Sequence, residues 1–221
     1  MRNPFRILTS RRRQPVLRAG TLHIDAFRNA RVVNDRMAQL LECVSQAPAG
    51  GLFCEFGVFK GDSLNAIARR IAPASIYGFD SFEGLPMAWS RDKEGLDTYA
   101  KGHFAVNEMP RFEENAVPVR GWIEDTVPTF LEVHPGKASL LHIDVDLYSS
   151  TKVILTAFND RIVPGTIIVF DELSDFQNTP TYTNWEAHEW LALQEWMEVH
   201  QRAIRPLSRT KHWSAALVVE T

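Results

Sequence analysis

Residues 52–61 read LFCEFGVFKG, an apolar run followed by a short turn between two glycines. Leu52–Phe56 has the length and composition of a buried strand, and residues 60–71 have the pattern of a helix. Gly57 and Gly61 stand four positions apart, which lets the backbone turn tightly from strand into helix and come close to a ligand. The stretch therefore predicts the first strand–turn–helix unit of a parallel sheet.

Strands and helices continue to alternate along the rest of the chain. The predicted helices cover residues 22–46, 60–71, 127–133, 149–160 and 185–200, and the predicted strands cover residues 52–56, 76–79, 116–119, 139–145, 166–170, 204–207 and 214–219, the last two as a hairpin. This alternation predicts an α/β, Rossmann-like fold, with a mostly parallel sheet covered by helices on both faces. Such sheets bind ligands beyond the carboxyl ends of their strands, so functional residues are expected there.

Composition excludes several classes of protein. A net charge of −3 gives no overall attraction to nucleic acid or to an anionic membrane. No apolar run approaches the roughly 20 residues that span a bilayer. The only two cysteines, Cys43 and Cys54, make no disulfide framework, so a cytoplasmic location is expected.

The first 46 residues are predicted to form a basic N-terminal arm and a leading helix, ahead of one α/β domain at 47–221. We interpret the arm as mobile or as docking a partner, with contact to RNA or another anionic partner as the alternative. The arm and leading helix are also a candidate contact for a homodimer. The basic character comes from Arg2, Arg6, Arg11, Arg12, Arg13 and Arg18.

The turn after the first strand has features of a nucleoside site. It lacks the Gly-x-Gly-x-x-Gly pattern of dinucleotide folds and the Gly-Lys-Ser/Thr pattern of a P-loop. Glu55 in front of the turn repels phosphate and suits a cation, such as the ammonium group of an amino-acid ligand. Asp80 ends the second strand, where an acid accepts hydrogen bonds from ribose hydroxyls. Trp122 follows the third strand and is interpreted either as stacking on an adenine or as a core residue.

Four acidic residues follow the fourth and fifth strands: Asp144, Asp146, Asp171 and Glu172. Gathering like charges is costly unless a cation neutralises them. A hard divalent cation such as Mg²⁺, bound by Asp144, Asp171 and Glu172, would do so. The alternatives are a solvated acidic rim and a metal-free acid–base site. His188, on the following helix, is either a residue of the helix face or a proton-handling group.

Five of these strings together resemble the macrocin O-methyltransferase family, which includes sugar O-methyltransferases of macrolide and aminocoumarin pathways. The resemblance runs from about residue 50 to the C-terminus, and DSFEGLP is its most specific part. The strings are EFGVFKG at 55–61, GFDSFEGLP at 78–86, GWIEDT at 121–126, HIDVDLY at 142–148 and FDE at 170–172.

The resemblance implies a class I methyltransferase fold of seven strands, S-adenosylmethionine (SAM) as methyl donor, and Mg²⁺ as the usual metal. Asp146 matches the family's general base, and Glu172 stands where members usually carry an aspartate. Asp144, Asp171 and Glu172 are the expected metal ligands, and Asp146 and His188 the candidate catalytic residues. The expected cofactor-binding residues are Glu55, Phe56, Gly57, Val58, Gly61, Ser63, Asp80, Ser81, Phe82, Trp122 and Asp144.

Residues 47–221 are thus predicted to be a SAM-dependent O-methyltransferase domain that acts on a hydroxyl of a sugar or other small natural product. No nucleic-acid or membrane partner is expected. Residues 81–107 are predicted to be a long irregular loop that closes over the site and selects the acceptor. The alternatives are a metal-independent methyltransferase, a nicotinamide oxidoreductase and a non-enzymatic binding domain.

Overall fold

The computed structural model describes residues 14–221, which form an eight-stranded sheet with helices on both faces. The strands in the sheet are β1 (Arg31–Val32), β2 (Leu52–Phe56), β3 (Ile76–Asp80), β6 (Ala116–Arg120), β7 (Ala138–Ile143), β8 (Ile167–Phe170), β9 (Ile204–Arg209) and β10 (Ala215–Val219), and a separate hairpin consists of β4 (Trp89–Ser90) and β5 (Thr98–Tyr99). The helices are α1 (Ile24–Arg28), α2 (Arg36–Gln46), α3 (Asp62–Ile71), α4 (Ile123–Val133), α5 (Tyr148–Ala157) and α6 (Glu189–His200), with a short 3₁₀ turn at Trp185–Ala187.

The strand order is β1-β9-β10-β8-β7-β2-β3-β6. Strands β2, β3, β6, β7 and β8 run parallel to one another, whereas β10 is antiparallel to both of its neighbours. The order reverses between β2 and β7, and this is the switch point at which such sheets bind ligands. The predicted α/β, Rossmann-like fold is confirmed. The sheet has one strand more than the seven expected, because the two-residue β1 pairs in parallel with β9.

Alternate residues of β2 point to opposite faces of the sheet and separate two cores. Cys54 and Phe56 belong to the core that includes residues of α4, α5 and α6, whereas Phe53 belongs to the core that includes residues of α2 and α3. Because every side chain of β2 beyond Leu52 is buried, its near-continuous apolar sequence matches a central strand. The end of β2 is thereby packed against helices on both faces of the sheet.

The prediction of a single leading helix over residues 22–46 was wrong. The chain forms α1, leaves the helix to pair Arg31 and Val32 with β9, and starts again at α2. Asp35 caps the new helix by accepting a hydrogen bond from the Ala38 N–H at 2.7 Å. The break brings the first residue of α2, Arg36, to the carboxyl ends of the strands.

The other predicted elements are present with shifts of a few residues at their ends. Residues 81–107 are less irregular than predicted, because β4 and β5 pair within them. Among the described residues, no helix is long and apolar enough to cross a membrane. Residues 1–13 of the basic arm lie outside the described part of the chain. The boundary at residue 46 stays a prediction.

Candidate active site

A cavity of about 450 Å³ opens at the carboxyl ends of β2, β3, β7 and β8. Its volume is that of a small-molecule site. The predicted site residues that line it are Gly57, Val58, Ser63, Asp80, Ser81, Trp122, Asp144, Asp146 and Glu172. Two strings far apart in the chain therefore meet here, the glycine turn after β2 and the acidic residues after β7 and β8.

Gly57 is required by the packing of the turn against the end of β7. Its φ is +85°, and a Cβ placed on it would overlap the main-chain carbonyl oxygen of Asp144. Only glycine fits both the backbone conformation and the close approach. The turn and Asp144 are in consequence fixed side by side at the floor of the cavity.

Asp80 holds the glycine turn in place. Its Oδ2 accepts hydrogen bonds from the main-chain N–H groups of Val58 at 2.7 Å and Phe59 at 2.8 Å, and its Oδ1 accepts one from Phe82 at 2.7 Å. A carboxylate offers about four acceptor directions, so one remains for a ribose hydroxyl. The structure adds a second task, shaping the loop, to the ribose contact predicted for Asp80.

Glu55 lies beneath the cavity and not on its surface. Its side chain is fully buried, and Oε1 accepts a hydrogen bond from Ser63 Oγ at 2.6 Å. Oε2 lies 3.8 Å from Nδ1 of the buried His142. The expected direct contact between Glu55 and the methionine end of the donor therefore has no support from the lining of this cavity, whereas Ser63 does line it.

Three further predicted cofactor residues do not line the cavity. Phe56 is a core residue whose ring stacks on Phe79 with a centroid distance of 4.9 Å. Gly61 has a φ of +83° and precedes α3, where it packs toward Phe112. Phe82 is buried and supports the loop through its N–H. Their positions follow from strand alternation and turn geometry, which motif matching does not resolve.

The four acidic residues lie together as predicted. Carboxylate oxygens of Asp144, Asp146 and Glu172 lie within 4.8 Å of one another, and so do ligand atoms of His142, Asp144 and Asp171. Burial, together with the charge of Asp171, raises the pKa of Asp146 to about 7 and raises the pKa of Glu172 well above its ordinary value. The cluster therefore favours a bound positive charge.

Arg36 supplies a positive charge that the sequence analysis missed. Its Nη1 makes an ion pair with Asp171 Oδ2 and lies 3.5 Å from Asp144 Oδ2. Burial alone would lower the pKa of Arg36, but the carboxylates of Asp171 and Asp144 raise it overall. An arginine at the start of an amphipathic helix has the pattern of a solvated residue, so no local signal marked it.

The carboxylates also fit a hard divalent cation. Asp171 Oδ1 and Glu172 Oε2 are buried, and neither has a hydrogen-bond partner within residues 14–221. Both atoms belong to predicted metal ligands, and carboxylate oxygens are the donors that Mg²⁺ prefers. Asp171 groups with His142 and Asp144, whereas Glu172 groups with Asp144 and Asp146, so Asp144 is the ligand that the two groups share. Glu172 has a longer side chain than the aspartate expected at this position. Its carboxylate still lies within 4.8 Å of carboxylate oxygens of Asp144 and Asp146.

His188 is not among the residues that line the cavity. Its Nε2 donates a hydrogen bond to the main-chain oxygen of Ser90 at 3.0 Å, and Asn184 Nδ2 donates to the same oxygen at 3.1 Å. Burial lowers the pKa of His188, so the ring is neutral near pH 7. These contacts tie β4 to the segment before α6, and they support a positioning role better than proton transfer.

The outer part of the cavity has an aromatic wall that sequence reasoning located only as the 81–107 loop. Trp89, Tyr99 and Phe104 come from that segment, and Trp213 comes from the turn between β9 and β10. Arg91 lies within 6 Å of the rings of Trp89, Tyr99 and Trp213, and it forms an ion pair with Asp97. Within the described chain the buried Trp89 Nε1–H has no partner.

Comparison with known proteins agrees with this geometry. Residues 54–173 match a family model described as a methyltransferase domain. The chain belongs to this methyltransferase family. The match covers the glycine turn, Asp80, Trp122 and the acidic residues after β7 and β8. The predicted methyltransferase is thereby confirmed at the level of family and fold.

A protein that is named as an O-methyltransferase is similar to this chain in sequence. A protein of Streptomyces olivaceus named 8-demethyl-8-(2,3-dimethoxy-alpha-L-rhamnosyl)-tetracenomycin-C 4'-O-methyltransferase is 27% identical over 168 residues, which are 62% of this chain and 59% of that protein. This chain therefore aligns with about three fifths of that relative.

Solved structures share the fold. The calicheamicin methyltransferase CalS11 matches with a TM-score of 0.60 and 25% identity over 82% of this chain and 76% of its own. The O-methyltransferase NovP matches with a TM-score of 0.59 and 20% identity over 84% of this chain and 80% of its own, a likeness of fold alone.

Proposed function

We propose that this chain transfers a methyl group from SAM to a hydroxyl of a sugar, free or attached to a natural product. The observation that carries the proposal is the cavity itself. One end is the glycine turn held by Asp80, the other is the aromatic wall, and Asp146 lies among the residues that line it. Such a cavity brings a donor and an acceptor together at one carboxylate.

The donor half fits SAM. Gly57 lines the cavity without a side chain, so the methionine part of the donor can lie against its main chain, and Asp80 keeps one acceptor direction for a ribose hydroxyl. Trp122 and Ser81 line the same cavity and are proposed to lie against the adenine. Glu55 acts from beneath, because it fixes Ser63 by a hydrogen bond.

The reaction is an in-line displacement. An acceptor oxygen attacks the methyl carbon, the carbon–sulfur bond breaks, S-adenosylhomocysteine (SAH) leaves, and the hydroxyl proton goes to Asp146. Holding the two reactants in line supplies several kcal/mol, about 7–11 in well-oriented cases. Asp146 lines the cavity and sits with φ +61° on the turn between β7 and α5. We assign it as the proton acceptor.

Asp144, Asp171 and Glu172 would hold a divalent cation. Such an ion, when bound, makes the acceptor hydroxyl more acidic and orients it. The chain's own residues supply the remaining requirements, namely the donor turn, the proton acceptor and the wall that excludes water.

A sugar acceptor is supported by the aromatic wall and by the relatives. Trp213 lines the cavity with a partly exposed ring that can lie against the C–H surface of a sugar ring, and Trp89 and Tyr99, whose rings stack on each other, line the same part of the cavity. The Streptomyces olivaceus relative is named for a rhamnosyl substrate. CalS11 is named in one structure as a TDP-rhamnose 3'-O-methyltransferase. We propose on these grounds that the chain is a sugar O-methyltransferase of the macrocin type.

Calorimetry with SAH and a methyl-transfer assay test this proposal. The assay uses radiolabelled SAM with TDP-rhamnose and with a rhamnosylated tetracenomycin as acceptors. We expect SAH to bind one site per chain and one of the acceptors to be methylated. Absence of SAH binding, together with binding of NAD, would contradict the proposal and favour an oxidoreductase.

A metal-independent methyltransferase is the second candidate, and Arg36 is the observation that favours it. Its guanidinium neutralises part of the acidic cluster without any metal. Turnover that is unchanged by EDTA supports this candidate, whereas turnover that EDTA abolishes and Mg²⁺ restores supports metal assistance.

A further inference from the structure

Arg36 and the predicted metal site use the same carboxylate groups. The guanidinium pairs with Asp171 Oδ2 and lies 3.5 Å from Asp144 Oδ2. Both residues belong to groups whose ligand atoms are close enough to hold one ion. A cation that binds Asp144 and Asp171 together therefore meets the position that Arg36 Nη1 takes.

Two unsatisfied oxygens show that Arg36 does not complete the cluster. Asp171 Oδ1 and Glu172 Oε2 are buried without a hydrogen-bond partner in the described chain. A buried carboxylate oxygen left unpaired costs free energy, and the cost is larger for a charged group. An ion bound at Asp144 together with Asp171, or together with Glu172, would give one of these residues a partner, whereas one guanidinium pairs with only part of the cluster.

We propose that Arg36 and a divalent cation are alternative occupants of one carboxylate site, so that Arg36 sets how tightly the site binds the cation. The inference concerns the same site as the proposed function and rests on it. Arg36 neutralises the carboxylates when the site holds no ion, and it moves out toward solvent when an ion enters.

The position of Arg36 makes this exchange feasible. Its side chain is 54% exposed, and its only hydrogen bonds within residues 14–221 are those to Asp144 and Asp171. It is the first residue of α2, so its side chain can turn outward while the Asp35 cap and the buried residues of the helix stay in place. The exchange breaks only the ion pairs of Arg36 with Asp144 and Asp171, and contacts between these carboxylates and the bound cation take their place.

The exchange predicts tighter metal binding when Arg36 is removed. In the absence of a cation, Arg36 either pairs with the carboxylates or points toward solvent. If the paired population exceeds the solvent-facing population about tenfold, the apparent Kd of the cation is raised about tenfold. We would measure Mn²⁺ binding by electron paramagnetic resonance for wild type, Arg36→Met and Arg36→Gln. Both variants are expected to lower the Kd by about tenfold. Arg36→Lys, which keeps the charge, is expected to bind Mn²⁺ more weakly than either.

Arg31→Met is the matched control, since Arg31 pairs with Glu42 on the surface and makes no contact with the cluster. It is expected to leave the Kd for Mn²⁺ unchanged. Thermal melts give a second readout: Arg36→Met loses stability in EDTA because Asp171 stays buried without a partner, and Mg²⁺ restores more of the loss than it adds to wild type.

Equal Mn²⁺ affinity in wild type and Arg36→Met would overturn the inference, and so would the absence of Mn²⁺ binding in both. The same tightening in Arg31→Met would also overturn it, because the effect would then be one of net charge. SAH calorimetry on the same samples keeps the two proposals apart. Loss of SAH binding with the expected metal data would remove the proposed function and leave the exchange standing.

Discussion

The two halves of the cavity are built differently. The donor half lies on strand ends, and contacts with the main chain fix it: Gly57 packs against Asp144, and Asp80 accepts hydrogen bonds from the N–H groups of the glycine turn. The acceptor half is assembled from a hairpin and a turn, and side chains hold it together, among them Arg91 between Trp89, Tyr99 and Trp213.

This difference separates what the fold fixes from what a sequence is free to vary. The main-chain geometry of the donor half tolerates few substitutions. One methyl group added at Gly57 should therefore disrupt the binding of the donor. Side-chain contacts on loops can be exchanged without moving the strands. Substitutions in the acceptor half should in consequence change the choice of acceptor and leave SAM binding intact.

The largest effect is expected for Gly57→Ala. Its added Cβ would overlap the Asp144 carbonyl oxygen, and alanine disfavours the φ of +85°. We expect SAH affinity to fall by about a hundredfold or more, which corresponds to about 3 kcal/mol. Calorimetry measures the affinity, and circular dichroism checks folding.

Gly50→Ala is the control for Gly57→Ala. Gly50 has a φ of +82°, and a Cβ there would meet nothing within 4 Å. Gly50→Ala therefore loses about 1–2 kcal/mol of stability through its backbone conformation, but its added Cβ overlaps no neighbouring atom. Wild-type SAH affinity in Gly57→Ala would mean that the turn does not shape the donor site.

Asp146→Asn tests the residue where the two halves meet. Removing a proton acceptor should lower kcat by about 10²- to 10⁴-fold. The affinity for SAH should change little, because the amide occupies the same volume. Single-turnover methyl transfer with the accepted sugar substrate measures the effect. A kcat within threefold of wild type would exclude Asp146 as the base.

Trp213→Leu is expected to affect only the acceptor half. Trp213 lines the cavity and packs against Tyr182 and Arg91. Loss of its flat face should raise the KM for the acceptor by about tenfold or more, within the 1–3 kcal/mol typical of one apolar contact in a pocket. SAH affinity is expected to stay at the wild-type value. A parallel loss of SAH binding would show that the halves are not independent.

The smallest effect is expected for His188→Gln. Glutamine keeps an N–H donor for the Ser90 carbonyl oxygen, so the tie between β4 and the segment before α6 survives in part. We expect kcat to fall by no more than threefold, in contrast to the loss of about 10² or more that removal of a catalytic base would give. His188→Leu, which has no donor, should raise the acceptor KM more than His188→Gln does.

Sequence patterns predicted the central sheet well because its residues carry their own signals. The run Leu52–Phe56 is β2 residue for residue, and the acids after β7 and β8 meet because parallel strands end at one edge. The glycine pattern indicated a close approach at Gly57, and the structure shows one to the main chain of Asp144, whereas the predicted approach to a ligand stays a prediction. These features depend on local sequence and on the general geometry of parallel sheets.

Other features depend on contacts between distant residues, and local patterns do not contain them. The break before α2 arises because Arg31 and Val32 find partners on β9, more than 170 positions away. Arg36 reaches the acids only as a result of that break. Asp80 serves the main chain as well as the cavity. Glu55 and Phe56 are buried inside the sheet by neighbouring elements and do not line the cavity.

A crystal structure of the SAH complex tests the central claim most directly. We predict SAH in the cavity at the carboxyl ends of β2, β3 and β7, with its ribose hydroxyls beside Asp80. Its sulfur should face Asp146 and the aromatic wall of Trp89, Tyr99 and Trp213. SAH bound elsewhere, or with its sulfur turned away from Asp146, would contradict the account.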